Sequence, residues 1–135
     1  MNREWDRTCD TMASLASGSS DRWSVAIDES LDGSEWTLEL DGPQTYLVAE
    51  LPGLKTVAEL HQFLQSAPDL PTHHEPFALG QFGPFPVLLR WDNEEIPRCF
   101  IIIGGDSLAS LRITLDESDV RMIAEAMEQV IAELP

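Results

Sequence analysis

Residues 116–134, with the sequence DESDVRMIAEAMEQVIAEL, have the clearest periodicity in this 135-residue chain. Their apolar residues recur at intervals of three and four, which places them on one face of a helix; they are Val120, Ile123, Ala124, Met127, Val130, Ile131 and Leu134. Asp116 is the expected N-cap, and Glu117 and Asp119 suit the positive end of the helix dipole. A helix with so long an apolar stripe is expected to cover a sheet.

Six segments of the chain carry strand patterning, because apolar and polar residues alternate in them or because they are short apolar runs between turns. They are residues 23–27, 36–40, 46–51, 86–91, 98–103 and 109–115. A second helix is expected over residues 56–65, where Thr56 and Glu59 form a capping box. The sequence therefore predicts an α+β fold, with an antiparallel sheet of about six strands in two β-β-β-α units.

The ends of these units complete the prediction. Trp5, Cys9, Met12 and Ala16 follow a helical spacing that Gly18 ends, so residues 1–20 are expected to form a short N-terminal helix and a linker. Residues 66–86 are rich in proline, glycine and phenylalanine and are expected to form a long loop. Residues 1–135 together are expected to be a single α+β domain.

Charge excludes several classes of partner. The chain has 24 acidic and eight basic side chains, which gives a formal net charge of -16. Binding to nucleic acid depends on basic side chains that neutralise phosphates, and the eight basic residues are scattered among acids. We therefore expect no binding to nucleic acid or to an anionic membrane, and we expect a basic protein partner.

Location is predicted from the cysteines and from the start of the sequence. Residues 1–4 carry charges with no apolar core after them, so no export signal is expected. Cys9 and Cys99 are then expected to be two reduced thiols of a cytoplasmic protein.

Residues 28–39 contain the sharpest motif match. Asp28, Ser30, Asp32, Gly33 and Glu39 have the spacing of the calcium ligands and the glycine in an EF-hand loop. Glu35 stands where the motif has an aliphatic residue, and the flanks are patterned as strands where the motif has helices. A hairpin turn around Asp32 and Gly33 is the preferred interpretation, and a calcium site is the alternative.

Catalytic and metal-binding patterns are otherwise weak. His73, His74 and Glu75, with His61 on the preceding helix, are the histidine cluster, and surface histidines are its default interpretation against a metal site. Cys99 lies in an apolar strand and is expected to be a packed core residue. The sequence contains no nucleophile elbow and no phosphate loop, so we expect no cofactor and no enzymatic activity.

The segment 66–86 carries Phe77, Phe82 and Phe85, for which two interpretations are open. These rings either fold back as a lid on the core or project as anchors for a protein partner. The abundance of large apolar side chains also predicts a homodimer, with its contact in this segment or on an open face of the sheet.

The expected order of helix, three strands, helix, strands and helix resembles small acidic secretion chaperones at the level of topology. That resemblance implies a protein that dimerises and holds a segment of a partner, but a shared topology does not establish a function. The sequence favours a non-enzymatic, acidic protein-binding or adaptor module. Its alternatives are a secretion-chaperone-like or inhibitor-like protein for a basic partner, a small metal- or calcium-binding protein, and an enzyme without a recognisable motif.

Overall fold

A computed structural model of the chain describes residues 12–71, 74–104 and 110–135. In them, one antiparallel sheet contains eight strands, each paired with its neighbours in chain order. The strands are β1 (Met12–Ser19), β2 (Ser24–Ser30), β3 (Trp36–Gly42), β4 (Thr45–Leu51), β5 (Phe77–Phe82), β6 (Phe85–Asp92), β7 (Arg98–Ile103) and β8 (Leu111–Asp116). Helix α1 (Lys55–Ser66), followed by a short 3-10 turn (Ala67–Asp69), lies between β4 and β5, and α2 (Glu117–Glu133) follows β8.

The predicted fold is therefore wrong in its count of strands and in its first element. The described chain forms two β-β-β-β-α units, and each of the six predicted strands overlaps an observed one. Strands β1 and β5 were not predicted. The predicted N-terminal helix is contradicted because its last part, Met12–Ser19, is a strand, while its first part lies outside the described residues.

Strand β1 escapes prediction because its inward-facing residues are small. Ala16 and Gly18 lie opposite Ile27 and Val25 of β2 and face the apolar side of the sheet. They show no alternation of large apolar and polar side chains, which is the usual signal of a strand. Their size is required by packing: a Cβ on Gly18 would lie 2.2 Å from the backbone oxygen of Ala126 in α2.

Where a loop was predicted at residues 66–86, the structure has strand β5, which forms a hairpin with β6. The segment contains the end of α1, the 3-10 turn and β5, and Gly83, at φ 59°, makes the turn into β6. A register shift between Ala78 and Gly80 interrupts the strand, and β5 pairs with β4 only at Glu50 and Gln81. This strand of six residues was not predicted because prolines flank it and because its alternation is interrupted.

Both helices pack on the same face of the sheet. Helix α2 buries Val120, Ile123, Ala126, Met127 and Val130 in one apolar core. It lies against β1 and β2, although it follows β8 in the chain, and it also contacts α1. Helix α1 in turn contacts β5, so each helix reaches strands of the other unit.

The two helix starts differ from each other. Asp116 caps α2 as predicted, since its side chain accepts from the Asp119 N–H at 2.7 Å, and the Asp119 side chain accepts from the Asp116 N–H. The predicted capping box of α1 is wrong. That helix begins at Lys55 without a side-chain cap, and Thr56 is buried against the core, where it does not cap the end.

We expect Gly18→Ala to lower the free energy of unfolding by about 1 to 3 kcal/mol, because the new methyl group meets backbone of α2 and forces the helix away from β1. Gly53→Ala is the matched control, since nothing lies within 4 Å of its added Cβ, and it should change stability by less than about 0.5 kcal/mol. Urea titration of both variants measures the difference. Equal effects would show that α2 does not depend on the close approach at Gly18.

Candidate functional site

The face of the sheet opposite the helices, called here the outer face, carries the candidate site. Its side chains alternate with the buried core residues along each strand. Among them Asp41, Tyr46, Glu50, Arg90 and Arg112 are exposed. The outer face therefore presents charged and hydroxyl groups to solvent, whereas the inner face is apolar.

An acidic groove lies on the outer face of the first unit. It has a volume of about 530 Å³ and runs from Ser17 and Ser19 on β1 to Glu39 and Asp41 on β3 and Tyr46 on β4. Gln129 of α2 closes its end at the sheet edge. The two carboxylates and the hydroxyl groups that line it give hydrogen-bond acceptors and negative charge on one side of a shallow depression.

Asp28 and Glu39 make a close carboxyl pair beside this groove. Partial burial raises the pKa of Asp28 to about 6, and a hydrogen bond and charge repulsion from Glu39 add to the rise. The Tyr46 hydroxyl donates to Glu39 Oε1. This bond, with partial desolvation, raises the pKa of Tyr46 to about 12. Glu39 thus accepts from Tyr46 and repels the charge on Asp28, and the Asp28 carboxyl group keeps its proton in mildly acidic solution.

The residues of the calcium motif fall into two separate pairs. Ser30 ends β2 and Asp32 lies in the β2–β3 turn, and the Ser30 hydroxyl donates to Asp32 Oδ1 at 2.7 Å. Further bonds from Ser34 hold the pKa of Asp32 down at about 2. Asp28 and Glu39 contact each other on the strands instead. These residues form a β-hairpin. Within the described residues, no group of three or more His, Cys, Asp or Glu side chains could hold a metal ion.

The outer face of the second unit carries an arginine cluster, which sequence reasoning missed. The guanidinium carbons of Arg90, Arg98 and Arg112 lie 5.6, 5.1 and 4.6 Å from the centre of the Phe100 ring. These distances permit cation–π contacts, and the three side chains leave Phe100 only 4% exposed. The expectation that basic residues are scattered is thus wrong for three of the eight.

Strand pairing creates this arginine cluster. Arg90 lies opposite Phe100, Arg98 shares its strand, and Arg112 lies opposite the next outward residue, Ile102. The bounds of the predicted strands 86–91 and 98–103 do not give the register that sets Arg90 opposite Phe100. The outer face is consequently divided, with carboxylates on β2–β4 and guanidinium groups on β6–β8.

The three phenylalanines of the predicted loop separate into two environments. Phe77 is half-buried and stacks on Phe63 of α1, with ring centres 5.3 Å apart. Phe82 and Phe85 lie opposite each other at the end of the β5–β6 hairpin, and they are 49% and 48% exposed. Phe77 therefore has the position of a lid on the core, whereas Phe82 and Phe85 are placed where a partner can contact them.

The histidines do not form a common site in the described residues. His74 Nε2 accepts from the backbone N–H of Trp91 at 3.0 Å, and its Nδ1 lies 2.9 Å from the backbone oxygen of Glu75. His61 Nε2 lies 3.7 Å from Oε1 of Glu128 on α2. His73 lies outside the described residues. Each described histidine thus contacts its own set of neighbours on the scaffold.

We expect Asp28→Asn to stabilise the protein at neutral pH. Because the folded pKa of Asp28, about 6, is above the ordinary 3.8, its favourable contribution is present below pH 4 and is lost as the pH rises through 6. The amide is neutral at every pH, so the variant should gain about 1 kcal/mol over the native chain at pH 7, a value reduced for solvent screening. Urea titrations at pH 4 and pH 7 measure it, and Glu35→Gln in the nearby turn is the control. A gain that does not change with pH would contradict the raised pKa of Asp28.

Comparison of the sequence with protein-family models, with curated proteins and with solved structures found no match.

Proposed function

We propose that the protein is a non-enzymatic binding module whose acidic groove receives an extended basic segment of a protein partner. The carboxyl pair of Asp28 and Glu39 beside the groove carries this proposal. Partial burial, with a hydrogen bond and charge repulsion from Glu39, raises the pKa of Asp28 to about 6, and a nearby cation stabilises the ionised form of this pair. A lysine or arginine side chain in the groove supplies that cation.

The groove has the dimensions and lining that such a segment needs. Its volume of about 530 Å³ is enough for several side chains. Glu39 and Asp41 offer carboxylate oxygens to a guanidinium or ammonium group. Tyr46, 62% exposed, adds an aromatic face on which the stem of a long basic side chain can pack.

Long-range electrostatics act in the same direction. A net charge of -16 produces a negative field that attracts a basic partner and accelerates its encounter. The same charge opposes binding of nucleic acid, which we therefore do not propose as a partner. Within the described residues, no helix is both long enough and apolar enough to cross a bilayer.

The chemistry of the described residues supports binding over catalysis. Both ring nitrogens of His74 contact backbone groups, so this side chain is poorly placed as a general base. Burial raises the pKa of the Cys99 thiol to about 12, which suppresses the nucleophilic thiolate. Secretion-chaperone-like and inhibitor-like activities are two forms of the same proposal, since both hold a segment of a basic partner. The cytoplasm, where a buried thiol stays reduced, is the proposed location.

We expect a lysine-rich peptide to bind the groove and to bind more weakly when carboxylates are removed. Glu39→Gln with Asp41→Asn should weaken binding of a fluorescent peptide of alternating lysine and threonine by roughly three- to tenfold, since each surface ion pair contributes up to about 1 kcal/mol. Fluorescence anisotropy at low salt measures it. Glu94→Gln with Glu95→Gln is the control, because it removes the same charge from the exposed turn between β6 and β7.

The pH dependence of the same titration gives a second test. A bound cation favours the ionised form of Asp28, so the peptide should bind more tightly as the pH rises from 5 to 7, through the pKa of about 6. Equal loss of affinity in the two double variants would mean that the peptide senses only net charge. That outcome would overturn the groove as the site.

A further inference from the structure

The two edges of the sheet are treated differently by the rest of the fold. At the β1 edge, side chains of α2 bond to the backbone groups that no strand takes up. The Ser17 N–H donates to Glu133 Oε1 at 2.9 Å, and the Ser19 N–H donates to Gln129 Oε1 at 3.0 Å. Gln129 Nε2 donates back to the Ser19 oxygen at 2.7 Å. This edge is closed to another strand.

The opposite edge, β8, has such a bond only at its last residue among the residues that the structure describes, where the Asp116 N–H donates to Asp119 Oδ2 at 3.2 Å. No described strand pairs with its outer side, and no described side chain bonds to the backbone of residues 111–115 along it. Arg112 and Thr114 are exposed, and Leu111, on the apolar side, is 61% exposed. An uncovered edge with an exposed apolar side chain is a surface on which another strand can pair.

We propose that β8 pairs with β8 of a second copy of this chain, antiparallel and centred on Thr114, so that one sheet runs through a two-fold dimer. The strand, with the sequence LRITLD, is self-complementary in this register. Arg112 lies opposite Asp116 of the second copy, and Asp116 lies opposite its Arg112. Ile113 and Leu115 pair on the apolar side, and the two Thr114 side chains meet on the axis.

Charge selects this register over its neighbours. Directly opposed residues lie on the same face of the sheet, so the centre of the pairing moves one residue at a time. Each such move gives Arg112 a different partner on the outer face. A centre at Ile113 pairs Arg112 with Thr114, and a centre at Arg112 sets two arginines against each other. Only the centre at Thr114 gives two pairs of opposite charge, which are favourable across antiparallel strands.

The pairing also extends a row of alternating charges that already exists in each chain. Asp92, Arg98 and Asp116 lie in one row across β6, β7 and β8, and Arg98 is 3.8 Å from Asp92. Arg112 of the second copy continues this row after Asp116. Arg112 also stacks on Phe100, 4.6 Å from the ring centre, which holds its guanidinium group on the outer face.

The β8 contact is separate from the acidic groove, which lies on β1–β4, toward the opposite edge of the sheet. It is also modest in area, because only one short strand of each chain contributes to it. We therefore expect a dissociation constant of about micromolar order, as for weak interfaces.

Sedimentation velocity from micromolar to near-millimolar concentration tests the proposal. The native chain should sediment as a dimer at the upper end. Arg112→Glu places like charges opposite Asp116 at two symmetric positions and should raise the dissociation constant roughly tenfold or more. Arg90→Glu makes the same change of charge beside the same Phe100 ring, two strands from the edge, and should leave the dissociation constant within about twofold.

A cross-link identifies the register and does not depend on the stability of Arg112→Glu. In a Cys9→Ser background, Thr114→Cys should form an intermolecular disulfide, because directly opposed Cα atoms of antiparallel strands lie about 4.5 to 5.5 Å apart, within disulfide reach. Ser24→Cys, exposed on the outer face of the other unit, is the control and should remain monomeric on a non-reducing gel.

A native chain that stays monomeric at near-millimolar concentration would overturn the proposal. A dimer that Arg112→Glu and Arg90→Glu weaken equally, or one in which Thr114→Cys links no faster than Ser24→Cys, would place the interface elsewhere and overturn it as well. Neither result affects peptide binding in the groove, which is measured on dilute, monomeric protein.

Discussion

The packing of α2 on β1 and β2 is the contact on which the rest of the structure depends. It buries one face of the first strands, it closes the β1 edge through Gln129 and Glu133, and it requires glycine at position 18. The Trp23 indole N–H donates to Asp119 Oδ1 at 3.0 Å and ties the start of the helix to the same unit. The described helices lie on one face, the other face of the described sheet carries charged groups such as Glu50 and Arg90, and the candidate site is a consequence of that division.

Large side chains made much of this fold predictable. Each of the six segments with strand patterning overlaps an observed strand, and the helix near residues 117–133 was clear because its apolar residues repeat along more than four turns. Strand β1 was missed because packing under α2 selects alanine and glycine, and β5 because its glycine meets the backbone of β4: a Cβ on Gly80 would lie 2.0 Å from the Glu50 oxygen. Both strands were missed because the close approach of a neighbouring backbone requires a small residue there. The alternation of apolar and polar residues along the chain does not show such a contact.

The site was less predictable than the fold because it is made by register. Asp28 and Glu39 were singled out only as ligands of the alternative calcium site with Asp32, whereas pairing of β2 and β3 brings them to each other. The arginine cluster joins residues from three strands, and the spacing between them along the chain carries no signal of its own. Composition alone indicated an acidic protein, and only the structure divides its outer face into an acidic and an arginine-bearing half.

The order of synthesis constrains how this chain can fold. Strands β1 and β2 are synthesised before the helix that covers their inner face. The bond between Ser17 and Glu133 joins residues that are 116 positions apart in the chain. During translation this apolar surface stays open until the helix has left the ribosome, and closing so long a loop is slow. The first unit consequently gains its native core only after translation of α2, so folding follows synthesis of the whole sheet and is exposed to aggregation in that interval.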